Sequence, residues 1–209
     1  MTVIDELGAA RLVPVVVVTD EAEAGALGDA LVAGGLPVAE VTLRTPAGLG
    51  VIRALAARGD VLVGAGTVRT ASQVDEAVAA GARFVVSPGL SAAVVRRCQD
   101  AGVAVVPGIA TASELMAALD LGVTTVKFFP AEASGGVPAL KALAAPFGDV
   151  TFVPTGGIGP SNLADYLSLP FVAAAGGSWM VPTDALAARN LDTLTALVTD
   201  AVHLARSIR

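Results

Sequence analysis

Val38-Ala39-Glu40-Val41-Thr42-Leu43-Arg44 alternates with the two-residue period of a β-strand, setting Ala39, Val41 and Leu43 on one face and Glu40, Thr42 and Arg44 on the other. The apolar face suits a surrounding layer of helices. The polar face is therefore expected to look into a barrel, where an acid and a base must find partners or a purpose. Two readings of that face stay open: a Glu40–Arg44 ion pair that only fixes the interior, or groups that carry chemistry. Position favours chemistry, because parallel barrels place their reactive groups at the C-terminal ends of their strands.

Outward from this strand, short β-branched or apolar runs begin near Val13, Val38, Leu62, Phe84, Ala104, Thr125, Thr151 and Phe171. Each is followed by an Ala- and Leu-rich segment with helical spacing, at a period of about 20 to 26 residues. Strand and helix alternate without a linker or a break in composition. That pattern predicts residues 1–209 as a single α/β domain, a (β/α)8 TIM barrel with a short N-terminal helix over residues 1–11 and a last helix from Asn190 to Ile208. An open doubly wound sheet is the main competitor. Thr70 with Gln73 and Thr111 with Glu114 read as capping boxes. Asp20, Ser91 and Pro160 mark other helix starts, and Gly34-Gly35, Gly81, Gly102 and Gly122 stand where helices should end.

Composition narrows the function. Apolar residues make up 54% of the chain and charged residues 15%, a surplus that favours a homo-oligomer. A net charge of -6 leaves no basic field for nucleic acid. The start of the chain, with Asp5 and Glu6 near Met1, lacks the pattern of a signal peptide, and Cys98 alone forms no internal disulfide; both point to the cytoplasm. Tyr166 to Thr183 is long and uncharged, but Pro170, Gly176, Gly177 and Pro182 interrupt it, so a strand, loop and short helix are expected rather than a membrane span. No G-x-G-x-x-G opens a helix after the first strand, which counts against a dinucleotide cofactor. His203 and Cys98 both fall in helices, so no His or Cys metal cluster is expected, and neither metal nor cofactor is assigned.

Lys127 departs most sharply from its surroundings, in Thr124-Thr125-Val126-Lys127-Phe128-Phe129-Pro130. The chain holds two lysines against eleven arginines, and this one lies in an apolar strand beside aromatic residues, where a structural cation would more naturally be arginine. A lysine can shed its proton in an apolar site and attack a ketone; arginine cannot. The plainer alternative is a lysine whose stem packs while its head reaches solvent or a carboxylate. Two diglycine turns follow the last two strands, Thr155-Gly156-Gly157 and Gly176-Gly177-Ser178, neighbours in a closed barrel whose free N–H groups suit a phosphate. Tight strand-to-helix turns would explain either one alone.

Glu40-Val41-Thr42-Leu43-Arg44-Thr45, Gly64-Ala65-Gly66-Thr67-Val68, Ser87-Pro88-Gly89, Val106-Pro107-Gly108, Lys127-Phe128-Phe129-Pro130-Ala131-Glu132, Pro154-Thr155-Gly156-Gly157 and Gly176-Gly177-Ser178-Trp179 together resemble the 2-keto-3-deoxy-6-phosphogluconate (KDPG) aldolase family, which includes the 4-hydroxy-2-oxoglutarate aldolases. The resemblance runs from about Val13 to Trp179, and K-F-F-P-A-E is its most specific phrase. It implies a lyase that cleaves KDPG to pyruvate and glyceraldehyde 3-phosphate, with Lys127 as the Schiff-base lysine and Glu40 as general acid/base. It further implies that Arg44 and Thr67 hold the pyruvoyl carboxylate beside an apolar wall of Pro88 and Phe129. Thr155, Gly156, Gly157, Gly176, Gly177 and Ser178 would then grip the distal phosphate of the small-molecule substrate, in a homotrimer. Ser134 stands where asparagine is common in relatives. The same chemistry on 4-hydroxy-2-oxoglutarate or the galactonate epimer is the near alternative. A sugar-phosphate isomerase or epimerase, or a non-catalytic sugar-phosphate binder, is the distant one, and neither would form a covalent adduct.

Overall fold

The computed structural model describes residues 1–208. Its elements begin α1 (Val3–Ala10), β1 (Leu12–Val16), a 3-10 turn (Glu21–Glu23), α2 (Ala24–Ala33), β2 (Val38–Thr42), α3 (Gly48–Arg58), β3 (Leu62–Gly66), α4 (Ala71–Ala79), β4 (Phe84–Val86) and α5 (Ala92–Asp100). They continue β5 (Ala104–Val106), β6 (Gly108–Ile109), α6 (Ala112–Asp120), β7 (Thr125–Phe128), α7 (Gly136–Ala144), β8 (Thr151–Phe152), α8 (Leu163–Leu167), β9 (Ala175–Gly177), α9 (Thr183–Ala187) and α10 (Leu191–Ser207). All ladders are parallel, in a six-stranded sheet ordered β5-β4-β3-β2-β1-β9 and a three-stranded sheet ordered β6-β7-β8. Isolated parallel bridges join Phe152 to Val172 and Thr155 to Gly176.

Strand starts expected at Val38, Leu62, Phe84, Ala104, Thr125 and Thr151 coincide with those observed, and β1 opens one residue before Val13. The last strand begins to pair where expected, Phe152 N donating to Phe171 O and Ala173 N to Phe152 O, while its ladder with β1 covers Ala175–Gly177, where side chains at Gly176 and Gly177 would meet Thr155 and Trp179. Pro107 divides one expected strand into β5 and β6, since it has no N–H to give, although its carbonyl still accepts from Lys127 N at 2.8 Å. Pro160 lies in a turn, and α8 starts later, at Leu163. The segment Tyr166 to Thr183 is occupied by the end of α8, β9 and the first residue of α9, and no helix among the described residues is long and apolar enough to cross a membrane.

Helix ends follow local chemistry. Thr111 and Glu114 form a reciprocal capping box on α6. On α4 Thr70 accepts from Gln73 N, but the Gln73 side chain turns to Arg69 N, so only half of that expected box forms. A box unread in the sequence, Thr2 with Asp5, opens α1. At the other end of α1, Arg11 donates to the carbonyls of Leu167, Ala205 and Ile208 and so ties together the C-terminal ends of α8 and α10, where a cation is favoured.

The apolar core has two parts. Val41, Ile52, Leu55, Phe128 and Phe152 fill the layer between strands and helices. Inside the strands, Val13, Phe84, Val86, Val106 and Val153, with Leu7 of α1, pack around Glu40, Lys127 and Thr155, leaving a void of only about 10 Å³.

Candidate active site

Period-two alternation along β7 buries Val126 and Phe128 among the helices and turns Lys127 inward. Along β2 the same rule turns Glu40 and Thr42 inward, as expected from the sequence. Lys127 Nζ donates to Glu40 Oε1 at 3.2 Å, with side-chain exposures of 7% and 3%, and the Phe129 ring lies 5.1 Å from the same nitrogen. Glu40 therefore pairs across the interior with Lys127, and not along its own strand with Arg44. Thr42 instead donates its hydroxyl to Val16 O at 3.0 Å. In a buried pair each partner is the other's compensation, and removing one leaves an isolated polar group.

Glycines make room for this pair. Gly64 and Gly66 stand opposite Glu40 and Thr42 in the β2–β3 ladder. A Cβ on Gly66 would fall 2.4 Å from Glu40 Oε1, and one on Gly64 would fall 2.4 Å from the Phe84 ring.

Arg44 lies beyond the end of β2, in an exposed turn, and donates from Nε to Thr67 Oγ1 at 3.3 Å. Thr67 holds a left-handed φ of 59°, a conformation disfavoured for a β-branched side chain. Outside the buried pair opens a cleft of about 210 Å³. It brings together Arg44, Phe129, Thr155, Gly156, Gly157, Gly177 and Ser178 of the residues expected from the sequence. Thr155 lines both the inner void and this cleft, and so joins the amine–carboxylate pair to the opening. Pro88, Thr67 and Gly176 do not line the cleft. Pro88 backs on to Gly108, the residue paired with Lys127, and Gly176 is packed against the Thr155 hydroxyl.

Sequence reasoning missed Val15, Val17, Ile158 and Thr183, which complete the cleft. It also missed the support behind the first diglycine turn. Ala131 N and Glu132 N donate to Thr155 O and Gly156 O at 2.8 and 3.0 Å, and Asn162 Nδ2 donates to Gly157 O at 3.1 Å. Gly157, at φ 79°, has no room for a side chain, because a Cβ there would fall 2.7 Å from the Glu132 side chain, whose Oε1 accepts the hydroxyl of the fully buried Tyr166. Burial and that carboxylate push the Tyr166 phenol well above its ordinary value. The polar residues following Gly157 were the only available signal.

Residues 3–197 match the KDPG and KHG aldolase family. The chain is 51% identical over 198 residues to the 2-dehydro-3-deoxy-phosphogluconate aldolase of Pseudoalteromonas atlantica, covering 94% of this chain and 92% of that protein. It is 48% identical over 196 residues to the KHG/KDPG aldolase of Escherichia coli strain K12, covering 93% and 92%. Its fold matches the crystal structure of the Legionella pneumophila KDPG aldolase with pyruvate captured as a covalent carbinolamine, at a TM-score of 0.92, 44% identity and coverage of 95% and 98%. This chain belongs to the KDPG and KHG aldolase family.

Proposed function

We propose that this enzyme cleaves 2-keto-3-deoxy-6-phosphogluconate to pyruvate and glyceraldehyde 3-phosphate through a Schiff base on Lys127. The observation that carries the reading is the buried Lys127–Glu40 pair at the inner end of a cleft that Arg44 and the diglycine turns line. Family membership and the covalent pyruvate of the Legionella enzyme support it.

The Glu40 carboxylate takes the ammonium proton, and the freed Lys127 amine adds to the C2 ketone, a proton then passing from its nitrogen to the new alkoxide to give the carbinolamine. Glu40 returns that proton to the carbinolamine hydroxyl, which leaves as water and generates an iminium. The carboxylate then removes the C4 hydroxyl proton; the C3–C4 bond breaks, its electrons pass to the iminium nitrogen, and the aldehyde departs. The same proton goes to C3 of the enamine, and hydrolysis frees pyruvate and the lysine. Arg44 offers a planar fork to the substrate carboxylate, with Thr67 fixing its Nε, while Phe129 forms the apolar wall and Pro88 supports Gly108 behind Lys127. Thr155, Gly156, Gly157, Gly177 and Ser178 take the distal hydroxyl and phosphate, and Gly176, having no side chain, leaves room for the Thr155 hydroxyl.

The strand pairings support a closed (β/α)8 barrel in one domain, β5 and β6 counting as one strand and the two isolated bridges joining the sheets. The apolar surplus and the family resemblance support a homotrimer, and the lone Cys98 supports a cytoplasmic location. A second reading, the same chemistry on 4-hydroxy-2-oxoglutarate, is favoured by the uncharged lining of the cleft beyond Arg44 and by the name of the Escherichia coli relative.

Borohydride reduction with pyruvate, followed by intact mass, tests the imine: a pyruvate-derived mass gain on Lys127 is expected, and none would overturn the aldolase reading. Comparing kcat/KM for the phosphogluconate acid, its galactonate epimer and 4-hydroxy-2-oxoglutarate assigns the substrate.

A further inference from the structure

The peptide units after Thr155 are turned in a definite sense. A carbonyl and the N–H of the next residue belong to one rigid plane and point in opposite directions. Gly156 O is drawn to Glu132 N, on the side away from the cleft, so the N–H of Gly157 faces the other way. Gly157 O is drawn to the Asn162 side chain, so the N–H of Ile158 also faces the other way. Gly157 and Ile158 both line the cleft, and neither N–H meets an acceptor among the described residues.

The first of these planes is set by backbone. The second is set by one side chain. Asn162 donates from Nδ2 to Gly157 O at 3.1 Å and accepts from Gly159 N through Oδ1 at 2.9 Å. The two contacts demand opposite polarity at the two ends of one amide, which fixes its orientation; an inverted amide would set oxygen against oxygen and N–H against N–H. Without the donor, the Gly157–Ile158 plane loses its outer tether, and Gly157, lacking a side chain, offers little resistance to its rotation.

We propose that Asn162 is a positioning residue that aims the Ile158 N–H, beside that of Gly157, at the distal phosphate of the substrate, and so sets the preference for phosphorylated over unphosphorylated 2-keto acids. It touches no reacting atom. The inference rests on the phosphate reading of the cleft above.

The test compares wild type with Asn162→Asp, which keeps the size and the acceptor for Gly159 but removes the donor, and with Asn162→Ala. The substrates are 2-keto-3-deoxy-6-phosphogluconate and its unphosphorylated counterpart, with inorganic phosphate as inhibitor and pyruvate trapping as the phosphate-free readout. For both variants KM for the phosphorylated substrate and the inhibition constant for phosphate should rise roughly tenfold, the scale of one weakened hydrogen bond to an anion. Their kcat, their KM for the unphosphorylated acid and their trapping rate should stay near wild type. Equal shifts on both substrates, slowed trapping, or no shift at all would overturn the role of Asn162. If wild type itself neither prefers the phosphorylated acid nor responds to phosphate, the phosphate reading fails, and the inference fails with it.

Discussion

The Glu40 carboxylate fills the space that a side chain at position 66 would need: a Cβ on Gly66 would lie 2.4 Å from Oε1, 2.7 Å from Cγ and 3.0 Å from Cδ. Gly66→Ala should therefore displace the carboxylate from Lys127. We expect kcat to fall roughly 100-fold or more, the scale of acid/base catalysis. Steady-state kinetics beside a thermal melt would check this; normal turnover in a folded variant would show that the carboxylate need not sit where it does.

Lys127→Ala should abolish both turnover and irreversible labelling by borohydride with pyruvate. Glu40→Gln should still form the adduct while losing roughly 100-fold or more in rate. Intact-mass measurement separates the two defects, and near-normal turnover in Glu40→Gln would remove its assigned role.

Arg44→Lys keeps the charge but loses the planar fork. The pyruvate concentration for half-maximal trapping should rise roughly tenfold, as expected for a lost charge-assisted hydrogen bond. Thr67→Val, which retains the branched shape and deletes the hydroxyl that accepts from Arg44 Nε, should shift it in the same direction by less. An unchanged pyruvate dependence in Arg44→Lys would move the carboxylate site elsewhere.

Two buried acids make stability fall in alkali. Burial raises the Cys98 thiol from 9.0 to about 11, and burial together with Glu132 raises the Tyr166 phenol from 10.0. Each group stays neutral in the folded chain at a pH where the unfolded chain ionises, so unfolding releases protons and stability declines as pH rises. The thiol contribution is complete below pH 9.0 and is lost by about 11; the phenol contribution begins to fall near pH 10.0. Denaturation midpoints in Cys98→Ala and Tyr166→Phe should decline less steeply over those windows than in wild type. A slope equal to wild type in either variant would exclude that group as a source of the alkaline loss.

Tyr166→Phe should also lower stability at neutral pH, by about 1.5–3 kcal/mol for a lost hydrogen bond to a charged group. Urea denaturation at pH 7 measures it, and a midpoint equal to wild type would mean that the contact with Glu132 is energetically empty.

Much of this was legible from spacing. The alternation in Val38–Arg44 located Glu40 and Thr42 inside the strands, and an isolated lysine in an apolar strand located Lys127. Arg44 was harder to read: β2 ends at Thr42, so the period no longer governs where position 44 points. Nor could period reveal that Glu40 and Lys127 meet, since they are 87 residues apart and only the stacking of strands unites them. Phe171 and Val172 were legible as strand and do pair with Phe152, but the extension through Ala175-Gly176-Gly177 was not, because its glycines are set by Thr155 and Trp179 beside them, contacts that no spacing reveals. Asn162 and Tyr166 act through a loop's carbonyl and a neighbour's carboxylate, contacts without a characteristic spacing.

Leu7, Phe84 and the valines packed around the amine leave a void of only about 10 Å³, too small for a water's passage, whereas the cleft beyond Thr155 is open. Traffic in the proposed cycle is therefore one-ended. The water expelled when the imine forms, and the water that later hydrolyses it, must use the doorway through which the sugar acid enters. An aldehyde lingering there would bar the solvent needed for turnover, so departure of the three-carbon fragment has to precede release of pyruvate.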